Sequence, residues 1–126
     1  MKGHGIRLVL YQEEEGTVPL LEWFDGMPTK ARAKCQVRLE RLRELGHELR
    51  RPEGDYLRDG IYELRAKHRG VNYRILYFFF AQEAVVVSHG ILKQQAAVPP
   101  KEIDLALARK RRFEADPERH TYKEAF

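Results

Sequence analysis

Residues 61–90 decide the fold, and they read IYELRAKHRGVNYRILYFFFAQEAVVVSHG. Apolar and polar side chains alternate through most of this stretch with a period of two residues, which is typical of β-strands. The alternation predicts strands over residues 61–67, 71–80 and 84–88. Only short turns separate the three strands, so we expect them to form an antiparallel meander.

One strand and two helices are predicted before the meander. Residues 6–11 alternate as a strand does, and Pro19 then opens a short helix at a position where its missing N–H is tolerated. A longer helix over about residues 28–45 follows, because apolar residues recur there every three or four positions. That apolar stripe consists of Ala31, Cys35, Leu39, Leu42 and Leu45.

The rest of the chain is predicted to be a connector, a last helix and a tail. The connector covers residues 46–60, and the helix covers residues 101–113. The order β-α-α-β-β-β-α predicts an α+β fold: an antiparallel sheet of about four strands, two N-terminal helices on one face, and a C-terminal helix. Residues 1–113 should form a single domain, and residues 114–126 a loosely held polar tail.

Size and composition exclude several classes of protein. The 126 residues suit one domain, and no stretch approaches the ~20 apolar residues of a membrane helix. No signal-peptide pattern opens the chain, so we expect a cytoplasmic protein. The single cysteine, Cys35, excludes an internal disulfide and a cysteine-based zinc site. The net charge of +4 is compatible with nucleic-acid binding without establishing it.

The alternation also predicts a working surface on the sheet. If Leu64 and Ile75 face the two helices, four polar side chains must face away from them. These are Glu63, Arg65, Asn72 and Arg74, with Lys67, His68 and Arg69 at the adjoining turn and the aromatic residues Phe78 and Phe80 beside them. Cations next to aromatic rings suit phosphates and stacked bases. An exposed polar face that only confers solubility remains the alternative.

The histidines predict no metal site, and no cofactor motif is present. None of the five histidines pairs with another at zinc-ligand spacing, and no phosphate loop or dinucleotide-binding fingerprint occurs. His89 should end the fourth strand, followed by Gly90 and Lys93, where an imidazole can donate or accept protons near neutral pH. A half-buried histidine that bonds the backbone is the alternative.

Four stretches in register resemble the RelE/HigB superfamily of bacterial type II toxins, in particular its HigB-like, phage-derived branch. They are residues 59–65 (DGIYELR), 73–78 (YRILYF), 88–93 (SHGILK) and 98–103 (VPPKEI). The order of the elements and Trp23-Phe24 ahead of a basic helix are also similar. The resemblance covers nearly the whole chain except the tail.

The resemblance implies a metal-independent endoribonuclease that cuts mRNA on the ribosome and needs no cofactor. It also implies a cognate helix-turn-helix antitoxin as partner, and it leaves a homo-oligomer open. Arg65, Arg74 and Lys93 match basic positions of the family, and His89 falls near a strand end where some relatives place catalytic groups. Arg74→Ala should then keep its fold yet lose toxicity.

Some positions depart from the family pattern and leave other functions open. Glu63 stands where RelE-like members have a lysine, and the late catalytic tyrosine of relatives is not evident, since Tyr122 lies far into the tail. By elimination, His89 and Lys93 should share the proton transfers of RNA cleavage, from the 2′-hydroxyl and to the leaving 5′-oxygen. The residues expected to bind RNA are Lys67, His68, Arg69 and Asn72. A non-catalytic toxin of the same fold that acts on DNA gyrase is one alternative. A phage-derived RNA- or protein-binding module without toxicity is another.

Overall fold

A computed structural model describes residues 5–94 and 96–123 of the chain. It contains five strands, three α-helices and one short 3₁₀ turn at Gly46–Glu48. In chain order the elements are β1 (Arg7–Leu10), α1 (Pro19–Asp25), α2 (Thr29–Leu45), β2 (Gly54–Arg58), β3 (Ile61–His68), β4 (Val71–Phe80), β5 (Ala84–Leu92) and α3 (Pro100–Ala115).

The sheet is mixed and has five strands in the order β1-β5-β4-β3-β2. The α+β class is confirmed, but the prediction of a four-stranded antiparallel sheet is wrong. β1 pairs with β5 in parallel, and β2 lies within the predicted connector and pairs with β3. The sequence of β2, GDYLR, hides this strand because Gly and Asp are depleted in strands.

One face of the sheet packs against α1 and α2. The sheet contributes Leu64, Tyr73, Ile75 and Tyr77 to this core, as the alternation predicts. The helices contribute Leu20 and Phe24 of α1 and the apolar stripe of α2. Burial of these side chains supplies the main stabilisation of this layer, at roughly 25 cal/mol for each Å² of apolar surface removed from water.

The opposite face is only half open, because α3 covers the rest. Phe113 of α3 packs edge-on against Phe78 and Phe80, with ring centroids 6.1 and 5.1 Å away. The expectation that Phe78 and Phe80 line a working surface is therefore wrong: Phe78 is fully buried, and Phe80 packs against the same core. What remains open is the end of the face near the β3–β4 turn.

β5 is longer than predicted, and a bulge interrupts its pairing with β4. Leu76 pairs with His89 and Tyr77 pairs with Val87, so Ser88 is an extra residue in β5. The strand then continues to Leu92, and His89 lies inside it rather than at its end.

The described part of the predicted tail is packed rather than loosely held. Thr121 forms an antiparallel bridge with Tyr11, and the ring of the buried His120 stacks on the Tyr11 ring at 5.0 Å. Tyr122 packs against the core between the sheet and α2. Residues 124–126 of the tail lie outside the described residues.

Gly90 allows Trp23 to lie directly against β5. A Cβ added at Gly90 would fall 2.2 Å from the Trp23 ring, far inside van der Waals contact. Trp23 is held in this position because it also packs against Phe24 and Tyr73. This contact explains why a glycine follows His89.

We expect Gly90→Ala to destabilise the protein by about 1–3 kcal/mol, the usual effect of overpacking. Urea denaturation of the variant measures this change. Gly26→Ala is the matched control, since nothing lies within 4 Å of a Cβ there. An equal effect of both substitutions would show that the contact with Trp23 is not responsible.

Candidate functional site

The open end of the second face brings together four of the predicted site residues. Arg65 pairs with Arg74 across β3 and β4, and Lys67 pairs with Asn72 two positions further along. Directly paired residues point to the same side of a sheet, so all four side chains lie on one face. The hairpin register, which the sequence predicts, creates this grouping.

These residues line an open groove of about 300 Å³ at the edge of the sheet. Five of its side chains are cationic, and no carboxylate lines it. The lining comprises Arg38, Arg51, Pro52, Arg65, Ala66, Lys67, Asn72 and Arg74. Arg38 and Arg51 were not expected here, because the sequence carries no signal that α2 and the segment before β2 meet β3 at this edge.

Hydrogen bonds fix the rim of the groove. β3 extends past its neighbour β2, so the backbone of Arg65 forms its hydrogen bonds with groups outside that strand. The Arg65 N–H donates to the Glu53 carbonyl at 2.8 Å, and the Arg65 carbonyl accepts from Arg38 Nε at 2.8 Å. Arg38 and Arg41 of α2 both contact the Glu53 carboxylate, at 3.3 and 3.1 Å. α2 is thereby joined to β3 and to the segment that precedes β2.

A buried carboxylate lies beneath the groove arginines. Glu63 Oε1 lies 3.2 Å from Arg74 Nε, and Glu63 Oε2 lies 3.9 Å from Arg65 Nε. Glu63 and Arg74 are only 5% and 4% exposed, whereas about a third of the Arg65 side chain is accessible. Burial raises the pKa of Glu63, and the charges of Arg74 and Arg65 oppose this shift. Glu63 therefore connects the buried arginine to the accessible one.

The groove keeps an excess of positive charge. Its five cations face three nearby carboxylates: Glu63, Glu53 on Arg38, and Asp55 at 2.8 Å from Arg51. Five positive charges against three negative ones leave an excess of two. Such a groove attracts anions and repels cations.

Lys93 adds a further cation beside the groove. It follows β5 directly, is half-buried, and its N–H donates to the carbonyl of Asn72 at 2.9 Å. Its positive charge is one of those that act to lower the pKa of Glu63. The structure thus brings Lys93 near Arg65 and Arg74, as the sequence predicts.

His68 and Arg69 lie apart from these residues. His68 pairs with Val71 and so points to the helix side of the sheet, one position out of phase with Lys67. Both line a different depression, of about 400 Å³, next to the start of α2. The four residues predicted to bind RNA are therefore divided between the two faces of the hairpin.

His89 is buried between β5 and α3. Its Nδ1 lies 2.8 Å from Ser88 Oγ, and its Nε2 lies 3.0 Å from Glu102 Oε1. Burial lowers the pKa of His89 despite the nearby Glu102 carboxylate. Arg109 of the basic run in α3 is also buried and pairs with Glu13 at 2.8 Å. These contacts attach α3 to the sheet, and His89 does not line the groove.

The lowered pKa of His89 predicts a loss of stability in mild acid. The unfolded chain takes up a proton at about pH 6.5, while the folded chain does so only at lower pH. The contribution of neutral His89 to the free energy of unfolding is fully present above about pH 6.5 and is lost as the pH falls through the folded pKa. The free energy of unfolding then changes by up to about 1.4 kcal/mol per pH unit. Denaturation from pH 7 to 5 should show a smaller slope for His89→Gln. Identical slopes would show that His89 does not titrate as described.

Residues 5–94 and 96–123 contain neither a metal-binding cluster nor a membrane-spanning helix. No group of three or more His, Cys, Asp or Glu side chains is arranged to hold a metal ion. No helix in these ranges is long and apolar enough to cross a membrane.

Comparison with known proteins places the groove inside a family match. The model of the family described as "Phage derived protein Gp49-like (DUF891)" matches residues 22–111. The match runs from α1 through most of α3 and includes every residue that lines the groove. A search of curated proteins found no match.

Proposed function

This chain belongs to the Gp49-like family of phage-derived proteins, which is part of the clan of RelE/HigB-type toxins, and from that premise we propose that it is the toxin of a type II toxin–antitoxin system. The observation that carries the proposal is the groove with its excess of positive charge. Such a groove suits a phosphate backbone, because Lys and Arg release the counterions condensed on it.

The proposed activity is metal-independent cleavage of mRNA on the ribosome. The 2′-oxygen of a ribose attacks the adjacent phosphorus and forms a cyclic phosphate, and the bond from phosphorus to the 5′-oxygen breaks. The 2′-hydroxyl gives up its proton to water, and the leaving 5′-oxygen takes one up. Extra negative charge collects on the non-bridging oxygens, and preorganised cations stabilise this charge most effectively.

The positions of the groove residues support a different role for each of them in the proposed reaction. Arg65 contacts the phosphate, since its side chain is the more accessible of the two arginines. Arg74 and Glu63 lie underneath and hold Arg65 in place. Lys93, beside them, donates the proton to the leaving oxygen, because arginine is never deprotonated in proteins.

His89 fits a positioning role better than proton transfer. Both ring nitrogens already lie within 3.0 Å of side-chain partners, and the side chain is only 9% exposed. A proton shuttle needs a nitrogen that reaches the substrate. We therefore assign His89 to holding α3 against β5.

A second function, RNA binding without cleavage, is favoured by the chemistry of the lining. Arginine, lysine, asparagine, proline and alanine make up the groove, and none has an unperturbed pKa near 7. A module of this kind would bind RNA through its phosphates and leave it intact.

Induced expression in a bacterial host tests the toxin proposal. We expect growth to stop with an immediate loss of translation, and co-expression of the cognate helix-turn-helix antitoxin to restore growth. In a purified translation system containing magnesium, wild-type protein should cleave mRNA without any other added metal. Growth arrest with DNA-damage signalling and intact mRNA would indicate action on gyrase instead. Normal growth at high expression would indicate a non-toxic module.

A further inference from the structure

The depression next to the start of α2 is a second concentration of positive charge. It is lined by Pro28, Thr29, Lys30, His68, Arg69, Val71 and Tyr73. Lys34 lies close by, since its Nζ donates to the carbonyl of Lys67 at 3.4 Å. In the described ranges, no carboxylate oxygen comes within 4.0 Å of the side-chain nitrogens of Lys30, Lys34, His68 or Arg69. The positive charge of the depression is therefore less neutralised by nearby carboxylates than the positive charge of the groove.

The three cations Lys30, Lys34 and Arg69 are close enough to influence His68. Partial desolvation and the charges of Lys34, Arg69 and Lys30 together lower the pKa of His68. His68 is thus an aromatic ring beside three positively charged side chains. Like charges held together without acidic partners destabilise a fold slightly, so a bound anion would relieve their repulsion.

The floor of the depression is apolar, which distinguishes it from the groove. Pro28 is exposed, Val71 is 39% exposed, and the buried Tyr73 completes the apolar part of the lining. An exposed apolar floor beside an imidazole and a rim of cations matches the two parts of a nucleotide. Bases stack on aromatic rings, and phosphates pair with Lys and Arg.

We propose that this depression is a subsite for one nucleotide of single-stranded RNA, on the opposite side of the β3–β4 hairpin from the groove. The base packs on Pro28, Val71 and His68, and Lys30 and Arg69 hold the flanking phosphates. The hairpin end then carries cations on both faces, so a strand leaving the groove past Lys67 meets the subsite next. The inference deepens the proposed function, because it rests on RNA being the ligand.

RNA fits this depression better than an acidic protein segment does. Both ligands satisfy the cations, but a carboxylate-rich segment leaves the apolar floor and the imidazole without a partner. A nucleotide uses both at once. Two tests follow from this difference. The first measures whether Lys30 and Arg69 contact phosphates, and the second measures whether a base packs on His68.

The charge test uses a fluorescent 2′-O-methyl nonauridylate, which cannot be cleaved through a 2′-hydroxyl. Its affinity is measured by anisotropy over a range of salt concentrations. Each phosphate contact on a single strand contributes about 0.7 to the slope of log affinity against log salt. Lys30→Ser with Arg69→Ser should thus lower the slope by about 1.4. The matched control is Lys101→Ser with Arg111→Ser, which removes two exposed cations of α3 and should leave the slope unchanged.

The base test compares RNA with inorganic polyphosphate of similar length, which has charge but no bases. Stacking on an aromatic side chain is worth about 1–3 kcal/mol per base. His68→Ala should therefore weaken RNA binding at least about fivefold and leave polyphosphate binding unchanged. His47→Ala, which removes an exposed imidazole stacked on Phe79, is the matched control.

The outcomes separate this inference from the proposed function. If Arg65→Ala lowers the slope of log affinity against log salt and Lys30→Ser with Arg69→Ser does not, the subsite is wrong. The proposal that the groove binds RNA is then retained. If His68→Ala weakens RNA and polyphosphate equally, the base does not bind there and the inference is overturned. If both tests succeed but mRNA is never cleaved on ribosomes, the subsite stands and the proposed mRNA cleavage is overturned.

Discussion

Arg74→Ala is expected to destabilise the protein by about 3–5 kcal/mol, the usual effect of removing one partner from a buried ion pair. The substitution leaves the Glu63 carboxylate buried without its closest cation, which lies 3.2 Å away. Neither Glu63 Oε1 nor Arg74 Nε completes a hydrogen bond of good geometry with the described residues, so without Arg74 only the more distant charges of Arg65 and Lys93 oppose the burial of the carboxylate. Urea denaturation at pH 7 measures the loss.

A double variant separates the charge from the packing. Glu63→Gln with Arg74→Met removes both charges and keeps similar volumes, and replacing a whole buried pair is often neutral or stabilising. The double variant should therefore recover most of the stability that Arg74→Ala loses. A loss below about 1 kcal/mol in Arg74→Ala would contradict the burial of this pair. The resemblance implies that Arg74→Ala keeps its fold, whereas the burial of Arg74 predicts that the fold is destabilised.

Arg65→Ala is expected to reduce mRNA cleavage by about 10²–10³-fold while the fold is retained. Its side chain is about one-third accessible, and its nearest carboxylate oxygen, on Glu63, is 3.9 Å away. The guanidinium can therefore reach a phosphate. Single-turnover cleavage on programmed ribosomes gives the rate, and circular dichroism checks the fold.

Two further variants sharpen the Arg65 prediction. Arg65→Lys should restore only part of the rate, because an ammonium is a point charge and cannot form the paired contacts of a guanidinium. Arg111→Ala removes an exposed arginine of α3 outside the groove and should cleave at the wild-type rate. If Arg65→Ala and Arg111→Ala were equally active, phosphate contact by Arg65 would be excluded.

Local patterns in the sequence are sufficient to predict the central part of the groove. The period of two in residues 61–80 assigns each side chain to a face, and the short turn fixes which residues pair. The pairing of Arg65 with Arg74 and of Lys67 with Asn72 follows from these two facts. The same alternation separates His68 from Lys67, since neighbours in a strand point to opposite faces.

Contacts between distant segments could not be predicted in this way. Arg38 reaches the groove only because α2 lies along the edge of β3, and Arg51 only because β2 pairs there. The cover that α3 places over Phe78 likewise depends on where a later element packs. No periodicity within a segment records which other segment will lie next to it.

His89 shows how one extra residue can defeat a pattern. Strict alternation places Ser88 and His89 on opposite faces, but the bulge lets both turn toward α3. Ser88 contacts Arg109 of α3 at 3.4 Å and His89 contacts Glu102 at 3.0 Å, so α3 occupies the space that a substrate would need. The sequence shows the titratable group but not the helix that covers it.

Mapping the ends of mRNA on ribosomes tests the central claim most directly, namely that the groove around Arg65 cleaves mRNA. Purified protein is added to ribosomes translating a defined message, and new ends are located by primer extension. We expect cuts within the translated region, with cyclic phosphate ends, that require ribosomes and disappear with Arg65→Ala but persist with Arg111→Ala. An intact message in the presence of wild-type protein that still binds the nonauridylate would contradict the claim and identify the chain as an RNA-binding module.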